Sequence, residues 1–127
     1  MRIGAAQIPV TTNVEDNLKN ILEACDWAVK NKLDYLLTPE CALSGYDTMS
    51  WNLNTCGPTE QAMEKLKEYS RDTGLGLAIG TLWIYDKDKQ GMGFGNGIHR
   101  NQLTFIQKGE IIGYVAKRNI AECDYAC

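Results

Sequence analysis

Two short apolar runs, Ile3 to Ile8 and Tyr35 to Leu37, flank one long stretch of helical periodicity, and this order constrains the fold more than any other feature. Val14, Leu18, Ile21, Leu22, Cys25, Ala28 and Val29 recur at three- and four-residue spacing, while Glu15, Lys19, Glu23 and Lys30 fall elsewhere. That pattern predicts an amphipathic helix laid over a sheet. Thr12, followed three residues later by Glu15, predicts its start, because hydroxyl and carboxylate can reciprocally satisfy the first orphan N–H groups. Pro9 and Pro39 close the two apolar runs, since proline gives no ladder donor and biases the residue before it. Strand, helix, strand is the parallel crossover unit, and it argues for an α/β layered fold. Such sheets gather chemistry at the carboxyl ends of their strands, where Glu40 stands.

Downstream, the reading is coarser. Gly45 to Gly57 has no period, whereas Thr59 through Ser70 predicts a helix with Ala62, Met63, Leu66 and Tyr69 on one side and Gly74 as its stop. Leu75 to Tyr85 predicts one long strand or two, and Asp86 to Gly91 a loop. Leu103 to Ile106 and Ile111 to Tyr114, separated by Lys108-Gly109, predict a closing hairpin.

Composition narrows the function classes. A chain of 127 residues is one ordinary domain, and a formal charge of −3, from 13 basic and 16 acidic residues, offers no field to attract nucleic acid. No apolar run approaches the roughly 20 residues of a membrane span, and the first residues lack a signal-peptide core, so the expected location is cytoplasmic. Five cysteines without a CxxC spacing suggest reduced, structural thiols, and a single histidine, His99, excludes a multi-histidine metal site. Gly91, Gly93, Gly95 and Gly97 alternate but never form GxGxxG, which predicts a flexible hairpin loop and not a phosphate cradle. Trp27, Trp51 and Trp83 share no period and are assigned to packing.

Two residues could carry chemistry. A carboxylate directly after an apolar strand, such as Glu40, can lose solvation, rise in pKa and act as a general base; alternatively it is a loop glutamate that accepts backbone hydrogen bonds. Lys117 follows the expected last strand, where an ammonium can stabilise an oxyanion or remain a solvated surface charge.

Ala6-Gln7, then Leu36-Leu37-Thr38-Pro39-Glu40-Cys41-Ala42-Leu43-Ser44-Gly45-Tyr46, Leu77 to Thr81, Asn101, Lys108 to Ile112, Tyr114 and Lys117 resemble, in that order, segments of the nitrilase or carbon–nitrogen hydrolase superfamily. The resemblance covers nearly the entire chain; Val115-Ala116 depart from the usual Tyr-Arg, and Asn119 stands where histidine is common. It implies an α/β fold, the N-terminal half of a nitrilase-like four-layer α-β-β-α sandwich, with residues 1–127 forming a partial domain. It also implies hydrolysis of an amide, nitrile or carbamoyl group by Glu, Lys and Cys, with Glu40 as general base and Lys117 as oxyanion stabiliser, a mechanism for which no metal or organic cofactor is expected. The family's nucleophilic cysteine ends a later apolar strand. Cys123 and Cys127 lie six and ten positions past Lys117 with no such strand between, and Cys41 would point away from Glu40 in an extended segment. No nucleophile is therefore identified, and the chain is expected to be inactive alone. Its expected partners are a small amide or nitrile substrate in a complete enzyme, and a second copy or a complementing chain. The competing expectation is a noncatalytic α/β binding or interaction subunit on the same scaffold; a flavodoxin-like nucleotide binder is disfavoured by the missing glycine pattern.

Overall fold

A computed structural model describes residues 1–46, 53–90 and 96–118, with the side chains of 53–56, 84–90 and 96–99 left aside. The order is β1 (Ile3–Ala5), α1 (Val14–Lys30), β2 (Tyr35–Leu37), α2 (Leu53–Thr73), β3 (Gly76–Gln90), β4 (Asn96–Gln107) and β5 (Glu110–Ala116). The strands form one sheet in chain order, with β1, β2 and β3 parallel and β3, β4 and β5 antiparallel. The α/β class expected from the crossover unit is the one observed.

The helical stripe lies where its period puts it. Val14, Leu18, Ile21, Cys25 and Ala28 are buried in one cluster with Leu36, Leu77, Ile79 and Ile106 of the sheet and Ala62, Met63 and Leu66 of α2. Both described helices thus cover the same sheet face, and each fully buried aliphatic side chain contributes about 1.5–3 kcal/mol. The helix begins one residue later than the expected capping box: the cap is Asn13, whose side chain accepts from the Asp16 N–H at 3.0 Å, while Thr11 Oγ1 accepts from the Asn13 N–H. Asparagine caps as well as threonine, and the Thr11 bond holds it in the extended conformation a cap needs. Trp27 corrects another expectation, being 59% exposed because it lies off the buried stripe; Trp83 does pack against the core. Trp51 lies outside the described residues.

Helix α2 starts earlier than the sequence suggests, at Leu53, and includes Pro58. As the sixth residue of the helix, this proline forfeits one bond, the one its missing N–H would make to the Asn54 carbonyl. Gly74 ends the helix with φ +77°, its N–H donating to the Ser70 carbonyl at 2.9 Å. The stretch Asp86 to Gln90, expected as a loop, continues β3 opposite β4, with register shifts between Ile84 and Asp86 and between Asp86 and Gln90. Main-chain pairing with β4 outweighs the turn-like composition there. Residues Gly91, Gly93 and Gly95 lie outside the described residues. At the next hairpin, Lys108 (φ 51°) and Gly109 (φ 84°) both take positive φ, the two-residue turn whose twist suits antiparallel strands.

Register assigns the other sheet face. Ala5, Leu37, Ala78, Phe105 and Gly113 form one row across the five strands, and Gly80, Leu103 and Val115 the next. Ile3, Leu37 and Val115 on this face are exposed.

Candidate active site

The chain does not turn away from the sheet after β2. Thr38 N–H donates to the Ala78 carbonyl at 2.9 Å, Leu43 N–H to the Gly80 carbonyl at 3.1 Å, and Leu82 N–H to Ser44 Oγ at 2.9 Å. Residues 38–44 therefore extend β2 along β3, with Pro39 to Ala42 as an excursion that carries Glu40. Cys41, at φ +53°, makes the sharp turn in that excursion and is fully buried. The extended segment assumed from the sequence is replaced by a turn.

Helix α1 holds the far side of the same loop. Asn17, fully buried on the helix, accepts from the Thr11 N–H at 2.7 Å and donates to the carbonyls of Thr11 at 2.8 Å and Leu43 at 3.2 Å. Gly45, at φ +83°, lies against the Thr11 carbonyl, where any Cβ would collide. Polar bonds buried this way cost more to break than they contribute when made, so the loop is held firmly.

Glu40 meets two residues of the closing hairpin. Its Oε1 accepts from Asn101 Nδ2 at 2.6 Å and from Lys117 Nζ at 2.9 Å. Asn101 lies in β4, and the Lys117 N–H donates to the Asn101 carbonyl at 2.8 Å. A third donor, the Tyr46 hydroxyl, hydrogen-bonds the same carboxylate. The structure thus brings Glu40 and Lys117, both singled out in the sequence, into contact. It adds Asn101 and Tyr46, which had been noted within family-like segments but given no role.

The electrostatics correct one expectation. Glu40 does not rise in pKa: the Tyr46 hydrogen bond, followed by the bonds and charge of Lys117 and the Asn101 amide, hold it below the usual carboxylate range against a smaller effect of burial. Its side chain is 41% exposed and that of Lys117 31%; lost solvation outweighs the Lys117 or Asn101 bond taken singly, but the donors together prevail. Tyr46 moves the other way, pushed above the ordinary phenol range by lost solvation and by its bond to Glu40, and stays a donor at neutral pH. An ion pair this exposed contributes only about 0–1 kcal/mol, so stability alone does not account for the convergence of three donors on one carboxylate.

Other sequence candidates lie apart. Cys25 is buried beneath the α1 stripe, its thiol pushed up to about 12 by burial and by Asp26. Cys123, Cys127 and Asn119 lie outside the described residues, as do the side chains of Cys56 and His99. No group of three or more His, Cys, Asp or Glu among the described residues could hold a metal ion. A cavity of about 570 Å³ sits at the opposite end of the parallel strands, lined by Asp34, Tyr35, Thr73 and Gln107 among others, and includes none of the residues around Glu40. No described helix is long and apolar enough to cross a membrane.

An α/β sheet with a Glu, Asn and Lys constellation at its carboxyl edge defines a class of fold and site, and comparison with known proteins names it. The carbon–nitrogen hydrolase family profile matches residues 2–126, and the chain belongs to that family. It is 24% identical over 123 residues to nitrilase homolog 2 of Dictyostelium discoideum, covering 97% of this chain and 36% of that protein. A glutamine-dependent NAD(+) synthetase from Cytophaga hutchinsonii superposes with TM-score 0.74 at 25% identity, over 96% of this chain and 20% of that one. An amidase of the nitrilase superfamily from Nesterenkonia gives TM-score 0.69 at 20% identity, over 95% of this chain and 44% of that one, a likeness of fold. The chain thus spans less than half the length of each of these relatives.

Proposed function

We propose that this chain forms the glutamate- and lysine-bearing part of an enzyme that hydrolyses a small amide, nitrile or carbamoyl compound, with a cysteine nucleophile from outside these 127 residues. The observation that carries the reading is the contact of Glu40 Oε1 with Lys117 Nζ at 2.9 Å and Asn101 Nδ2 at 2.6 Å. In such a reaction on an amide, a thiolate adds to the carbonyl carbon and charge gathers on oxygen, where the Lys117 ammonium stabilises it. The C–N bond breaks as nitrogen takes the proton that Glu40 accepted from the thiol and leaves, giving a thioester. Glu40 then accepts a proton from the water that attacks the thioester, releasing the acid and the thiol. Asn101 and Tyr46 keep the carboxylate in place throughout. No metal or organic cofactor enters these steps.

The buried Cys25 and Cys41 do not fit the role of attacker, one for its high pKa and both for their inaccessibility. Ammonia release from a panel of small amides and nitriles tests the reading, using the chain alone and the chain mixed with the portion of a family amidase that it does not cover. The chain alone is expected to be silent; the mixture is expected to turn over and to lose turnover with Glu40→Gln or Lys117→Met. Turnover that survives Glu40→Gln overturns the site, and turnover by the chain alone that disappears on replacing Cys123 or Cys127 overturns the external nucleophile.

A second reading, a noncatalytic subunit that keeps the scaffold and works in the cytoplasm as a binding partner, draws on the exposed Ile3, Leu37 and Val115 of the sheet face that neither described helix covers. Such a face favours cover by a second copy or a complementing chain. Sedimentation separates the cases: self-association or pairing supports cover, and a stable compact monomer counts against it.

A further inference from the structure

Among the described glycines, the one whose added Cβ would meet another stretch of main chain most closely is Gly80, directly beneath Glu40. A Cβ built on Gly80 would overlap the Pro39 carbonyl oxygen and stand 2.9 Å from the Pro39 carbonyl carbon and 3.0 Å from Glu40 Cα. All three atoms are main chain and cannot rotate aside. We infer that Gly80 is the positioning residue of the site: its missing side chain lets the Pro39–Glu40 backbone cross over β3 and so fixes where the carboxylate stands.

Space is the reason, not conformational freedom. The glycines with positive φ among the described residues are Gly45, Gly74 and Gly109, so Gly80 keeps a backbone that other residues adopt in strands. The same residue also pins the excursion at both ends. Its N–H donates to Thr38 Oγ1 at 2.9 Å, and its carbonyl accepts from the Leu43 N–H at 3.1 Å. One strand position therefore supplies a donor to the segment entering Glu40, an acceptor to the segment leaving it, and the gap through which it passes. Any side chain there must lift Pro39 and Glu40 off the sheet. Asn101 and Lys117 are anchored independently on β4 and by the Lys117 to Asn101 main-chain bond, so they would not follow.

The inference deepens the hydrolase reading, on which the importance of Glu40 rests, yet it is tested by titration and not by turnover, so the two can fail separately. The experiment is carbon-detected NMR titration of the Glu40 carboxyl in the whole chain, assigned by its loss in Glu40→Gln. Gly80→Ala is compared with Gly113→Ala, a strand glycine on the same sheet face whose added Cβ meets nothing within 4 Å. Thermal melts and amide spectra monitor the fold. The expected result is an upward shift of the Glu40 midpoint in Gly80→Ala as donors are lost, and the wild-type midpoint in Gly113→Ala. A folded Gly80→Ala protein that keeps the wild-type midpoint, with only a lower melting temperature, overturns the inference, because a merely structural glycine behaves that way. If Gly80→Ala does not fold, Thr38→Val, which removes the hydroxyl that accepts the Gly80 N–H and donates to the Ala78 carbonyl, takes its place. A smaller upward shift supports the inference, and no shift overturns it.

Discussion

The main-chain N–H of Lys117 donates to the carbonyl of Asn101 at 2.8 Å, and through that bond the two side chains reach the same oxygen of Glu40 from neighbouring backbone positions. Two of the three donors, Asn101 and Lys117, thus share one anchor on the closing hairpin, while the acceptor is held by a different part of the sheet.

The hydrogen bonds to Glu40 differ in weight, and that of the Tyr46 hydroxyl outranks that of the Asn101 amide. Tyr46→Phe is therefore expected to raise the Glu40 titration midpoint more than Asn101→Ala does, with both proteins folded. Carboxyl-carbon NMR reads both shifts. Equal or reversed shifts would show that Tyr46 does not lead.

Stability depends on pH through the same carboxylate. Because the folded-state pKa of Glu40 is depressed, the unfolded chain binds that proton more readily; the contribution is present at neutral pH and lost as pH falls through the folded value. Both partners are substantially exposed, so the effect is about 0–1 kcal/mol. Urea denaturation should show wild type gaining on Glu40→Gln between pH about 3 and neutrality. A constant difference across that range would contradict the pairing.

Asn17 is expected to be the most sensitive polar residue away from the site itself. Asn17→Ala strands the Thr11 N–H and the Leu43 carbonyl, each buried or partly buried, at a cost of about 1–3 kcal/mol for each group left unpaired. Denaturation midpoints measure the loss. A change within about 0.5 kcal/mol, the range of ordinary surface substitutions, would mean the loop is held without it.

Cys25 should resist alkylation in the folded protein and react only after denaturation, since burial and Asp26 push its thiol up to about 12. The sign for stability follows: the unfolded thiol ionises first, so the folded state loses ground as pH rises from about 8.5 toward that value. Iodoacetamide labelling followed by peptide mapping checks the first claim, and denaturation of wild type against Cys25→Ala at alkaline pH checks the second.

Much of this architecture was legible because periodicity and punctuation are local. The α1 stripe, β2 and its Pro39 stop, the Gly74 terminus and the Lys108-Gly109 turn all depend on residues within a few positions of each other. What escaped was set by distant partners. Asp86 to Gln90 forms strand because β4 lies opposite, and Trp27 faces outward because α2 and the sheet occupy the other side of α1. Glu40 and Lys117 could be singled out by their places at strand ends and by family resemblance. The lowered pKa of Glu40 could not, since it comes from side chains 6, 61 and 77 positions away converging on one group. Gly80 gave no sign in the sequence of the backbone passing over it.

The strands lie across the sheet in the order in which they are synthesised. Each strand emerging from a ribosome therefore finds its neighbour already made, and the sheet can grow along one direction without threading a later segment between earlier ones. The catalytic-type constellation must then be assembled last: its carboxylate is seated when β3 arrives, and its Asn101 and Lys117 donors only when the final hairpin closes.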